Sequence, residues 1–135
     1  MLAQTQAARV AGVFEGFVQR YGSFEELGAA TTGDVVRAWQ GLGYNSRAVR
    51  LRALAQTVVE VHGGELPQQT SELLALPGVG AYTAAAVRAF AYDIDDAAID
   101  VNVRRVVQRM FFGLEFPRAA APVQLDLIAR ELVAP

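Results

Sequence analysis

The sequence predicts an all-α fold, a single helical domain spanning residues 1–135. Apolar side chains return at i, i+3, i+4 and i+7 along most of the chain, as amphipathic helices require. Glycines close these stretches and Asp, Asn or Ser open them, which is the usual punctuation of helix ends. No segment alternates apolar and polar residues long enough to read as a strand, and no linker or internal repeat divides the chain.

Val10, Phe14, Phe17, Val18 and Tyr21 give a first amphipathic helix ending near Gly22. A short helix follows Ser23, and a third runs over about 34–40 with Val35, Val36 and Trp39. Gly41-Leu42-Gly43-Tyr44-Asn45-Ser46 breaks the pattern, with Asn45 or Ser46 placed to cap the next helix. This fourth helix turns Leu51, Leu54, Ala55 and Val58 inward and stops at Gly63-Gly64, with His62 as a surface C-cap. A short helix over about 71–75 meets Leu76-Pro77-Gly78-Val79-Gly80, and another runs over about 82–92. Asp93, Asp95 and Asp96 read as a solvated loop. Behind Asp100 comes a strongly patterned helix carrying Val103, Val106, Val107, Met110 and Phe111 on one stripe. After Pro117 and Pro122 a last helix turns Leu125, Ile128 and Leu132 inward.

Composition narrows the function. With 53% apolar and 19% charged residues, the chain is a compact globule rather than a disordered segment. No apolar run approaches the ~18 residues of a membrane span, so no membrane partner is expected. The N-terminus lacks the basic-then-apolar pattern of a signal peptide, and a cytoplasmic location is expected. There is no cysteine, which excludes disulfides, thiolate metal sites and iron–sulfur clusters within these residues. The acidic triplet at 93–96 is too ordinary a turn to be a metal site, and no side-chain metal site is expected. A net charge of −2 argues against a surface that grips nucleic acid everywhere. All 12 basic side chains are arginine, and lysine is missing.

Two places carry chemistry. In Leu76-Pro77-Gly78-Val79-Gly80 the glycines permit backbone torsions closed to other residues, so several N–H groups can point outward together. Beside a helix N-terminus this makes an anion site suited to a DNA phosphate; an ordinary tight turn would look the same. Asp100 opens a helix, where the dipole favours the ionised carboxylate. It fits equally a plain N-cap and a carboxylate at a reaction centre. Arg47, Arg50, Arg52, Arg104, Arg105 and Arg109 read first as solvated helix faces.

The full set, in order, is Met1-Leu2-Ala3-Gln4-Thr5-Gln6, then Gly41-Leu42-Gly43-Tyr44-Asn45-Ser46-Arg47-Ala48, then Leu76-Pro77-Gly78-Val79-Gly80-Ala81-Tyr82-Thr83-Ala84. Ile99-Asp100-Val101-Asn102-Val103-Arg104-Arg105-Val106 completes it, with Asp100 standing 18 positions after Tyr82. This resembles the helix-hairpin-helix/Gly-Pro-Asp (HhH-GPD) superfamily of DNA glycosylases, most of all the adenine-mismatch (MutY-type) branch and its thymine-mismatch relatives. The resemblance covers roughly residues 1–113, with the helix-hairpin-helix at about 70–92.

The resemblance implies base excision: hydrolysis of the N-glycosidic bond of a mismatched adenine or thymine flipped out of duplex DNA. Asp100 would be the carboxylate that stabilises the oxocarbenium-like sugar. Tyr82 stands where bifunctional members carry their Schiff-base lysine, so no strand cleavage is expected. Asn102 matches the asparagine neighbouring the catalytic carboxylate, with Val101 where the branch usually has glycine. Gln4 matches the glutamine that wedges into the DNA stack. Tyr44, Arg47 and the Pro77, Gly78, Val79, Gly80 hairpin would hold DNA.

The same resemblance implies a helical-barrel core acting as a monomer on double-stranded DNA, without the iron–sulfur subdomain of longer members and with no cofactor in this chain. The branch's glutamate that protonates the departing base lies two positions before the residue matching Met1. Weak, salt-dependent DNA binding with little adenine release is therefore expected of these residues alone. A non-catalytic DNA-binding hairpin module and an inactive fragment of a longer glycosylase are the competing readings. Asp100 with Tyr82 favours the enzyme over the binding module, because a pure binding hairpin needs no carboxylate at that spacing; the absent glutamate and the low net charge favour the other two readings.

Overall fold

A computed structural model of the chain describes residues 1–2, 5–113 and 122–133. Its described residues form eight helices and no strand: α1 (Ala7–Arg20), α2 (Phe24–Ala29), α3 (Thr32–Ala38), α4 (Ser46–His62), α5 (Thr70–Ala75), α6 (Ala81–Tyr92), α7 (Val101–Phe112) and α8 (Pro122–Glu131). The all-α fold class stands. Contacts gather these helices into two compact units. One holds Met1–Pro67 with Ala75–Gly78; the other holds Gln68–Leu74 and the chain from Val79 onward.

In the first unit, helix boundaries follow local chemistry. Ser23 begins α2 by accepting from the Glu26 N–H at 3.2 Å, and the Glu26 carboxylate accepts from the Gly22 N–H at 2.7 Å, so donor and acceptor of one turn satisfy each other. Thr31 begins α3 by accepting from the Asp34 N–H, two residues ahead of the expected start. Gly63, in the left-handed region at φ 64°, ends α4. Asn45 departs from expectation. It stands at the N-cap of α4 but in helical torsions, φ −55° and ψ −22°, and its side chain makes no capping bond. A cap needs extended torsions to swing the side chain over the first turn, and the preceding loop denies them.

The core of this unit is Val10, Phe17, Leu27, Val35, Trp39, Leu42, Ala48 and Ala55. Phe17 meets the Trp39 ring edge-on, 5.8 Å between centroids. α2 and α3 both pack on α4, and α1 meets α3. Phe14 and Val18 of α1, although at helical spacing, are exposed.

In the second unit α7 packs on α8 around Val107, Leu125 and Ala129, with Ile99 and Ile128 at the edge. Arg104 grips Asp126 with both arms, Nε to Oδ1 at 2.8 Å and Nη2 to Oδ2 at 3.0 Å. Here the stripe read from the sequence divides. Val107 is buried, while Val106, Met110, Phe111 and Leu132 are at least half exposed. Together with Asn102, Val103, Ala129 and Val133, three of these four (Val106, Met110 and Leu132) and Val107 border a groove of about 370 Å³ between the two helices. A fully buried glutamine, Gln108, sits where the periodicity had no place for it.

Candidate functional site

Asp100 caps α7. In extended torsions (φ −97°, ψ −176°) its carboxylate lies over the first turn, and Oδ1 accepts from the N–H groups of Asn102 at 2.9 Å and Val103 at 2.8 Å. The other oxygen, Oδ2, accepts from the Asn102 side-chain amide at 2.9 Å. The Val103 N–H holds the carboxyl below the ordinary range first of all; desolvation opposes it, and the two Asn102 donors and the nearby Arg105 charge add to the lowering. The group is thus an anion at neutral pH, and Asn102 joins it by two bonds. Cap and carboxylate are one device.

Tyr82 lies in the first turn of α6, half exposed. A small cleft of about 50 Å³ in the second unit joins it to Ala97, Ile99, Arg104 and Asp126. Tyr82 therefore stands beside the segment that leads into Asp100.

The hairpin between α5 and α6 shows why its glycines are there. Gly78 sits at φ 81°, and a Cβ on it would come within 3.1 Å of the Arg50 Cβ. Arg50, read from the sequence as part of a solvated face, therefore also walls the hairpin with its aliphatic stem. Leu76 anchors the turn in the core, with Pro77 and Val79 half-buried. Gly80 is the N-cap of α6, and having no side chain it caps nothing. The first-turn N–H groups of Ala81, Tyr82 and Thr83 are left without a side-chain cap, as an anion site needs.

The loop before α4 is a second feature. Gly41, Gly43 and Tyr44 all take positive φ (93°, 70° and 48°). Leu42 plugs into the core between them, and the Trp39 indole donates to the Gly43 carbonyl at 3.1 Å. Tyr44, thrown outward, is 65% exposed. A non-glycine residue in the left-handed region is uncommon, and here it delivers an aromatic ring to solvent. Arg47 packs its guanidinium 5.5 Å from the centroids of both Tyr44 and Trp39. It also donates to the Met1 carbonyl at 3.1 Å, the Thr5 hydroxyl at 2.7 Å, and the Leu42 and Gly43 carbonyls at 3.0 and 3.3 Å. The arginine singled out for phosphate is engaged within the chain, tying the N-terminal segment to the loop that bears Tyr44. Gln4 lies outside the described residues.

Sequence reasoning missed Asp96. It is not a solvated loop residue: its side chain is 11% exposed and pairs with Arg88 of α6 at 2.8 Å. Among the described residues no group of three His, Asp or Glu is placed to hold a metal, and no helix is long and apolar enough to cross a membrane. The residues do not fit an iron–sulfur cluster, since none of them carries a thiolate.

Comparison with known proteins points one way. The family model described as HhH-GPD superfamily base excision DNA repair protein matches residues 1–127. The adenine DNA glycosylase of Mycobacterium tuberculosis (strain H37Rv) is 44% identical over 113 residues, covering 84% of this chain and 37% of that protein. The thymine/uracil-DNA glycosylase of Methanothermobacter thermautotrophicus is 34% identical over 114 residues, covering 84% of this chain and 52% of its own. Among solved structures, a thermostable thymine-DNA glycosylase superposes with a TM-score of 0.88 at 32% identity, covering 98% of this chain and 62% of that one. The chain thus spans between about a quarter and a half of the length of the curated relatives it matches.

Proposed function

The chain belongs to the HhH-GPD superfamily of base excision DNA repair proteins, and from that premise we infer that it hydrolyses the N-glycosidic bond of a mismatched adenine or thymine in duplex DNA, without cutting the strand. The observation that carries this reading is the Asp100 carboxylate, held ionised at the start of α7 by three hydrogen bonds.

A carboxylate offers about four lone-pair positions. Both on Oδ1 go to the Asn102 and Val103 N–H groups, and one on Oδ2 goes to the Asn102 amide. One position on Oδ2 is left for the reaction. As the bond from C1′ to the base nitrogen breaks, its electron pair leaves with the base and positive charge grows on the sugar. A fixed anion beside that charge lowers the barrier without reorganising. Water then adds to C1′ and gives up a proton, which ends on the departed base, leaving an abasic sugar. Such chemistry needs the nucleotide out of the stack.

Tyr82 carries no amine and the chain contains no lysine, so no side chain can form a Schiff base with the opened sugar. The uncapped amides at Ala81–Thr83 and the Gly78–Gly80 turn supply phosphate donors, and Tyr44 an exposed ring for stacking. On this reading the protein works as a monomer on duplex DNA in the cytoplasm, with no cofactor of its own.

The test is single-turnover incubation with end-labelled duplexes containing a G·A or a G·T mismatch. Base release, slow from the G·A duplex as the sequence implies, that leaves an intact abasic strand, cleaved only on alkaline treatment, is expected. Strand nicking with a borohydride-trapped adduct contradicts the hydrolytic reading, and absence of release from both duplexes contradicts the enzyme.

A further inference from the structure

Asp93, Asp95 and Asp96 lie side by side in sequence and have three different fates. Asp93 is the left-handed C-cap of α6 (φ 53°), and Asp95 is exposed. Asp96 turns inward. Its Oδ2 accepts from Arg88 Nε at 2.8 Å, with the two side chains only 11% and 18% exposed, and Arg130 stands 3.9 Å from Oδ1. Arg88 also donates from Nη1 to the Gln68 carbonyl. Its own carbonyl accepts from the N–H groups of Asp93 and Ile94, closing the last turn of α6. One residue therefore ends the helix with its backbone and catches the departing chain with its side chain.

Residues 93–100 have no regular secondary structure, so no helical or sheet ladder fixes their path into α7. A short row of anchors fixes it instead: the pair at Asp96, the buried methyl of Ala97, and Ile99 against the Val107, Leu125 and Ala129 cluster. Exposed ion pairs contribute little, but this pair is largely shielded, and removing one partner leaves the other charge stranded. Asp96 is four residues before Asp100, near enough in the chain to set where the cap begins.

We propose that the Arg88–Asp96 pair is a positioning device for Asp100, holding residues 93–100 on the path that delivers the carboxylate to the first turn of α7. Its effect on catalysis rests on the base-excision reading above; its effect on geometry does not.

Asp96→Asn and Arg88→Lys test it with two readouts. The first is the pH titration of the Asn102 and Val103 amide resonances, which follow the carboxylate that accepts from them. In Asp96→Asn the titration midpoint rises toward the ordinary carboxylate value, and Arg88→Lys, which keeps a charge, shifts it less. The second is single-turnover base release, expected to fall about 10- to 100-fold in Asp96→Asn while duplex affinity changes by no more than about threefold, since a small displacement of a reacting group is costly. An unmoved midpoint in folded Asp96→Asn and Arg88→Lys overturns the proposal. If Asp96→Asn does not fold, Arg88→Lys decides: a shifted midpoint supports the device and an unchanged one overturns it. A parent chain that releases no base refutes the base-excision reading, and the amide titration still decides the device.

Discussion

Asn102 holds Asp100 from two sides: its backbone N–H donates to Oδ1 and its side-chain amide to Oδ2, each at 2.9 Å. A residue with only the backbone donor would leave Oδ2 free to rotate away from the reacting sugar. Asn102→Ala should therefore move the carboxyl back toward its ordinary value and slow base release by about tenfold, with the helix start intact through Val103. Single-turnover rates and amide titration check this together; an unchanged rate would show that the Oδ2 bond has no part in the reaction.

Asp100→Asn separates the two jobs of the cap. Asparagine is as good an N-cap as aspartate, so the fold should persist and duplex affinity should hold. The negative charge is gone, and base release should fall by about 10²- to 10³-fold, as when a transition-state stabiliser is removed. Loss of DNA binding in parallel with activity would point to a structural defect instead.

The same carboxylate sets a pH dependence. Its folded value lies below the ordinary 3.8, so its contribution to stability is fully present above that value and disappears as the pH falls through the depressed folded one. Urea unfolding of the parent chain and Asp100→Asn, compared at pH 7 and near pH 3, should show the difference between them shrinking on the acid side. A difference that grows on acidification contradicts the assignment.

Gly78 and Gly80 predict opposite behaviour. Gly78→Ala must hold a methyl-bearing residue at φ 81° and meet Arg50 at 3.1 Å, and should destabilise the chain by about 1–2 kcal/mol. Gly80→Ala meets nothing within 4 Å and keeps ordinary torsions, so its stability should be near that of the parent. Any loss of duplex affinity in Gly80→Ala then reports a phosphate close to the backbone. Equal affinity in the parent and Gly80→Ala would remove the hairpin from the DNA site.

Arg47→Lys tests the strap. A lysine has a single ammonium and cannot reproduce the fork that reaches Met1, Thr5, Leu42 and Gly43, nor stack on Trp39 and Tyr44 as a plane. Urea denaturation should show a loss of about 2–3 kcal/mol, as expected when charge-assisted bonds to partly buried carbonyls go. A neutral effect would free Arg47 for the phosphate role that its place in the sequence suggested.

The helices were legible because their ends are written locally. Ser23, Gly63 and Asp100 each act within one turn of where they stand. Asp100 and Asn102 could be found for the same reason, as neighbours on one helix start. Asp96 could not, because its partner lies eight residues back on α6 and loop composition says nothing of it. Arg47 was ambiguous in kind: four acceptors, two of them 42 and 46 residues away in sequence, decide how its guanidinium is used. Asn45 misled because a capping residue type tells nothing of the torsions a strained loop imposes. Periodicity showed that 101–112 is a helix; it carried no information on which apolar positions the fold covers.

The open apolar stripe has a calorimetric side. Unfolding raises heat capacity chiefly by wetting apolar surface, roughly 12–15 cal/mol/K per residue in ordinary domains. Along α7 and α8 much of that surface is wet already, at Val106, Met110, Phe111 and Leu127. The increment per residue should fall below the usual range, and the curve of stability against temperature should be correspondingly flat. Cold would then weaken this protein less than its apolar content suggests, and its melting would be spread over a wider interval of temperature.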